Sequence, residues 1–203
     1  TIRNIVDPYS TGITIYTEMP PLNIDKYNSS PVFNKPAGDY LCVERNYSTS
    51  FSAYDEDGDS LVYSLTEPLA GHSSFSVPVI TAESAPYEKV IWQDGFSTRA
   101  SIKGKRPLTI NPQTGEISVN TDEAGTYVFA VLCEEYRKGK KIGQVTQEFQ
   151  YTALNCKYYP PPEGFAKIGG RNKIFKNRDT ITLPVNEREI VFYGITSIPG
   201  TTL

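Results

Sequence analysis

The sequence predicts an all-β protein built on an antiparallel β-sandwich, and three observations carry that prediction. Tyr (14), Phe (9), Gly (15) and Pro (15) are plentiful against one Met and one His, a composition suited to pleated strands and tight turns. No stretch shows the 3.6-residue apolar period of an amphipathic helix. Short alternating or wholly apolar segments recur instead, separated by turn formers, as in a sandwich of seven or more strands.

Along the chain, residues 13–16 read as a short strand in the tail of a preceding β domain (1–27). The run 20–31, with Pro20, Pro21, Asn23, Asn28, Ser29, Ser30 and Pro31, lacks periodicity and reads as a linker. The next domain is expected over 28–156, with strands at 31–33, 40–44, 47–54, 61–67, 76–80, 108–111, 116–120, 126–133 and 143–154. Both alternating sets of 127–133 are apolar, as in a central strand covered on both faces; Cys133 then shares a face with Phe129 and Val131 as inert core. Pro160, Pro161 and Pro162 forbid helix and central strand alike. Residues 157–203 therefore read as a proline-rich linker and the start of another β domain, with strands at 179–185 and 189–193, or as the complement of the N-terminal piece.

Charge and motif content exclude several functions. A net charge of −3 without clustered basic residues gives no reason to expect nucleic acid. No apolar run approaches the roughly 20 residues that span a bilayer, and Thr1-Ile2-Arg3-Asn4 does not begin a signal peptide, so the chain reads as an excised soluble piece. The only histidine, His72, lies in the polar loop Ala70-Gly71-His72-Ser73-Ser74 and reads as a loop residue, which leaves a hydrolase without a base; Glu44, Glu134 and Glu135 have no sequence spacing that would make a catalytic carboxylate pair. No enzyme is expected. Cys42, Cys133 and Cys156 match no zinc spacing. In an exported protein one pair bridges, with Cys42 and Cys156 favoured because they lie near the two ends of one domain; that closes a loop of about 115 residues worth about 4–5 kcal/mol. Three reduced thiols are the alternative.

The most informative motif is Asp55-Glu56-Asp57-Gly58-Asp59, an acidic turn between two alternating segments. Four carboxylates in five residues repel one another unless water or a hard cation spreads the charge. Gly58 falls fourth and Thr66 twelfth from Asp55, which rules out an EF-hand. Two readings remain, a calcium site shared between loops and a solvated Asp/Gly turn. Arg137-Lys138-Gly139-Lys140-Lys141 belongs at a hairpin tip, solvated or touching an anionic partner. The stretch 87–101, with Tyr87, Trp92 and Phe96, reads as a satellite core or, in the alternative function, as the aromatic platform of a carbohydrate-binding module.

Asp122-Glu123-Ala124-Gly125-Thr126-Tyr127 resembles the tyrosine corner of immunoglobulin-like folds, with Phe129 where antibodies carry a cysteine. Together, Asn28-Ser29-Ser30-Pro31-Val32-Phe33, the run from Ala53 to Leu65, Asn111-Pro112-Gln113-Thr114-Gly115-Glu116-Ile117 and Gly125-Thr126-Tyr127-Val128-Phe129-Ala130-Val131 resemble a cadherin-like repeat. With Glu134 to Gly143, Phe149-Gln150 and Cys156 they look like repeats of the giant gliding-motility adhesins that Bacteroidota export by type IX secretion. The resemblance implies an extracellular, outer-membrane-associated module in a tandem array. Its partners would be neighbouring repeats, surface polysaccharide or the gliding and secretion machinery. It implies calcium at Glu44, Asp55, Asp57, Asp59 and Glu135. Where the cadherin linker motif would follow the last strand stands Asn155-Cys156-Lys157, which points to a single site rather than a full junction. Ser60 and Thr180 lie in Asp-Ser-Leu and Asp-Thr-Ile, similar to the O-glycosylation motif of these bacteria.

Overall fold

The computed structural model describes residues 1–21, 27–34, 36, 38–71, 73, 78, 86–156, 163–168, 171–175 and 190–195. It contains two compact units, Thr1–Cys156 and Lys157–Leu203. Both are all-β and lack α-helix among the described residues.

In the first unit the strands run β1 (Gly12–Ile13), β2 (Tyr16–Glu18), β3 (Val32–Phe33), β4 (Tyr40–Cys42), β5 (Tyr47–Ser50), β6 (Ala53–Tyr54), β7 (Ser60–Thr66), β8 (Leu69–Gly71), β9 (Glu88–Lys89), β10 (Arg106–Ile110), β11 (Glu116–Asn120), β12 (Gly125–Arg137) and β13 (Lys140–Leu154). The main sheet has the order β2-β13-β12-β7, all antiparallel, with β4 alongside the end of β13 in parallel. A sheet β10-β11-β5 and the pair β3-β6 form the opposing layer of this sandwich-like unit. The small sheet β1-β8-β9 completes the unit.

The long hairpin β12–β13 organises the rest. Lys138 (φ 52°) and Gly139 (φ 77°) reverse the chain in two residues with positive φ at both, the turn whose twist matches antiparallel strands. Along β12 the side chains alternate, so Tyr127, Phe129, Val131 and Cys133 all point inward and are less than 2% exposed. They meet Phe51, Leu108, Ile117 and Val119 from the facing layer. Phe51 is the hub: its ring centroid lies 4.2 Å from Phe149 and 5.7 Å from Phe129, edge-on arrangements favoured by the ring quadrupole. The Tyr127 hydroxyl donates to the Glu123 carbonyl at 3.1 Å, tying the strand to its own approach.

Residues 1–21 do not belong to a preceding domain. The expected strand 13–16 divides into β1 and β2, and β2 extends the main sheet while Ile2 and Ile5 bridge to Thr126 and Trp92. Ile5 packs with Val90 and Val128 on the outer face of the sheet. Asn4 is wholly buried: its amide donates to the carbonyls of Ser101 (2.9 Å) and Val128 (2.6 Å) and accepts from Val128 N (3.1 Å). A single side chain thus substitutes for a strand partner, which no local pattern announces. The expected strand 126–133 also runs on to Arg137, because pairing with β7 and β13 continues past Cys133.

Cys42 and Cys156 form a disulfide with Cα atoms 5.4 Å apart, and Cys133 is free and buried. The second unit contains β14 (Glu163–Ile168), β15 (Arg171–Phe175) and β16 (Ile190–Ile195) in the antiparallel order β15-β14-β16. The expected strand 179–185 and most of 76–80 lie outside the described residues, as do His72 and Thr180.

Asn4→Ala strands two carbonyls and one N–H in the interior, so it is expected to cost about 3 kcal/mol, read as a lower urea midpoint with unchanged m-value. A change below about 0.5 kcal/mol, the level of neutral surface substitutions, contradicts the pinning role.

Candidate cation site

The alternation that fills the core also creates the site. Two residues beyond Cys133, the inward position of β12 is Glu135, 1% exposed at the end of the core. The β6–β7 turn closes over it and brings carboxylate oxygens of Asp55, Asp57 and Asp59 within 4.8 Å of one another. Asp55 is itself 7% exposed and accepts from the Asp59 backbone N–H at 2.9 Å, an interaction that closes the turn. On the far side, Gly143 of β13 supplies the space: a Cβ there would stand 2.7 Å from Glu135 Oε2.

Arg137, next inward on β12, donates from Nε to Asp59 Oδ1 (2.8 Å) and from Nη2 to Asp59 Oδ2 (2.5 Å), a bidentate pair. The same guanidinium reaches the Tyr27 carbonyl at 3.1 Å and Asn28 Oδ1 at 2.8 Å. Asn28 passes the connection on, its amide donating to Glu135 Oε2 at 3.1 Å, and Ser29 N donates to Asp57 Oδ2 at 2.5 Å. Residues 27–29 are therefore strapped across the acidic turn.

Four carboxylates face one guanidinium, so the charge is not balanced within the site. Arg137 holds the Asp59 carboxyl below the usual carboxylate range. Burial pushes Glu135 up to about 7, against the Asn28 hydrogen bond and with help from the Asp59 and Asp55 carboxyls. Glu135 lies within hydrogen-bonding range of the Asp59 carboxyl, to which it can donate while it keeps its proton; once it ionises, that contact has no donor. Asp55 Oδ2 and Glu135 Oε1 are buried and accept no hydrogen bond among the described residues. Buried carboxylate oxygens without donors are costly, and hard oxygens converging on one place are what calcium takes, in sets of six to eight. Asp55, Asp57 and Asp59 could each offer such an ion one oxygen, and Glu135 stands beside Asp59.

Glu44 does not join them. Its N–H donates to the Thr121 carbonyl and its carboxylate lies 3.8 Å from Lys105 Nζ, beside the start of β12. Glu135 lies ten residues further along that strand, about 30 Å away at the usual rise. Tyr87, Trp92 and Phe96 occupy three separate environments rather than one platform. Trp92 packs on Ile5, Val90 and Val128, and Phe96 lies against Tyr127 with Lys103 Nζ 3.9 Å from its ring centroid. Tyr87 meets Tyr16 edge-on at 6.4 Å over a groove of about 400 Å³ on the outer face of the main sheet. Ser60 is exposed at the start of β7. Burial pushes the Cys133 thiol up to about 12, consistent with unreactive core.

Comparison with family models, curated proteins and solved structures found no significant match. The site therefore has to be read from its own geometry. Two of its members escape local reading. Arg137 looks like part of a solvated tip and Asn28 like a linker residue, and the available signal was the odd-numbered inward set of β12 continuing through Glu135 to Arg137.

Glu148 is a second carboxyl moved upward, to about 7, by burial under β8, where it accepts from Leu69 N at 2.7 Å. Both raised carboxyls contribute stability that is present below the unfolded value near 4.5 and is lost as pH rises through about 7. In chelator, the thermal midpoint is expected to fall between pH 5 and pH 8, and Glu135→Gln and Glu148→Gln are each expected to flatten the profile. A wild-type profile already flat over that range contradicts this assignment.

Proposed function

We propose that this chain is a non-catalytic module of a large extracellular bacterial adhesin, an immunoglobulin-like (cadherin-like) repeat that bears structure and adhesion at the cell surface in gliding or attachment. The observation that carries the reading is a disulfide-closed β unit followed directly by a second β unit. Disulfides persist in oxidising, extracellular settings, and succession of β units suits a tandem array whose nearest partners are its own neighbours. The Tyr127 hydroxyl on Glu123 O supports the immunoglobulin-like assignment, since a tyrosine corner makes this bond. Surface polysaccharide and the type IX and gliding machinery are the outer partners of this reading. Beads coated with the chain should attach to cells or to their isolated polysaccharide above an uncoated control; equal attachment sinks the adhesive role.

Calcium is the cofactor of this reading, held by Asp55, Asp57, Asp59 and Glu135. When bound it supplies positive charge to the unpartnered oxygens and joins the 27–29 strap to the turn. An ion at about 100 times its Kd adds about 2.7 kcal/mol, about 5–10 °C for a chain of this size. Calcium over chelator is expected to raise the midpoint by that amount in the full chain and by nothing in Asp55→Asn. Superimposable wild-type melts remove calcium from the reading.

A carbohydrate-binding module is the second reading, favoured by one observation. The groove under Tyr16 and Tyr87 combines aromatic rings with Gln144, Thr146 and Thr66, side chains able to stack on and hydrogen-bond a sugar. Binding on a glycan array that is lost in Tyr87→Ala, with Trp92→Ala silent unless it unfolds the arm, distinguishes this reading.

A further inference from the structure

The disulfide sits at a particular place on the path that tension would follow. The chain enters through the N-terminal arm, passes the strap at 27–29 and β3, and reaches β4, which lies parallel to the last three residues of β13: Tyr40 against Thr152, Leu41 against Ala153, Cys42 against Leu154. It leaves the unit at Cys156. Pulling β4 by its N-terminal end and β13 by its C-terminal end moves two parallel strands in opposite directions, so their ladder is loaded in shear rather than peeled. Cys42, the last ladder residue of β4, and Cys156, two residues past Leu154, are covalently joined across 114 positions of sequence.

We propose that Cys42–Cys156 is a load bypass, carrying tension directly from β4 to the exit and leaving residues 43–155 unstretched. This rests on the reading of the chain as part of a tethering array. The aromatic core, the whole β12–β13 hairpin and the carboxylates Asp55, Asp57, Asp59 and Glu135 all lie inside the bypassed loop. Only the arm, the 27–29 strap, β3 and β4 lie in the loaded stretch of this unit. A pull therefore draws out the arm and strap, then meets a covalent stop, while the acid turn and core stay folded. Noncovalent ladders of three residue pairs yield and re-form; the S–S bond between them makes the extension of this unit finite and repeatable.

The measurement is single-molecule extension of the full chain held at Thr1 and Leu203, oxidised and then in dithiothreitol, whose two thiols are oxidised to a cyclic disulfide as the protein disulfide is reduced to two thiols. Oxidised, the first unit is expected to release only the stretch before Cys42, about 150 Å at about 3.5 Å per residue. Reduced, it should release about 400 Å more, the contour of the loop. Length released by the second unit is common to both arms and cancels. Cys42→Ser should behave as the reduced chain without dithiothreitol, and because total extended length does not depend on how stably the variant folds, it remains informative if folding is impaired. Equal total lengths before and after reduction overturn the proposal. Oxidised chains that stop short yet give no attachment of beads to cells overturn only the adhesive reading.

Discussion

The two-residue alternation along β12 is the constraint on which the rest depends. It is held by β13 over the strand's full length and by β7 over its second half, so no residue can change face without breaking ladder hydrogen bonds to β13 and, from Ala130 to Tyr136, to β7 as well. The same rule that buries Tyr127, Phe129, Val131 and Cys133 then carries Glu135 inward. A carboxylate at the end of a core must be supplied with partners or a counter-charge. Asn28, Arg137 and the bare backbone of Gly143 answer part of that demand, and the acidic turn adds to it.

The site and the N-terminal arm are consequently parts of one arrangement. Asn28 links Glu135 to Arg137, and Arg137 links the strap to Asp59. The arm before the strap is anchored independently by Asn4, Ile5 and β2. Segment 27–29 is thus bounded on both sides by structure of the same unit, so a cation there would clamp an internal crossover of the fold. That differs from an ion seated between separate repeats.

Edges are also managed. β7 and β10 border the seam between the layers and would expose unpaired N–H groups, the usual template for aggregation. Tyr63 N donates to the Pro112 carbonyl and Leu108 N to the Ile102 carbonyl, each about 3 Å, so a turn or loop covers each edge where another chain would start to pair. Such covering suits a protein read as one module among many copies at high local concentration.

Much of the fold was legible because strand period and turn chemistry are local. The strand at Glu116–Asn120, the hairpin reversal at Lys138-Gly139 and the inward face of 127–133 follow from a few consecutive residues. So does the acidity of the turn, since Asp55, Asp57 and Asp59 are close in sequence. Sequence by itself determined an all-β chain with an acidic turn and an apolar central strand. Tertiary structure alone decided that residues 1–21 complete the first unit, that Glu44 stands at the opposite end from the turn, and that Arg137 and Asn28 belong beside it. Those outcomes depend on contacts between residues up to about 120 positions apart; their side chains meet only after the hairpin has set the register, and no short-range pattern records which strand end a given carboxylate will face.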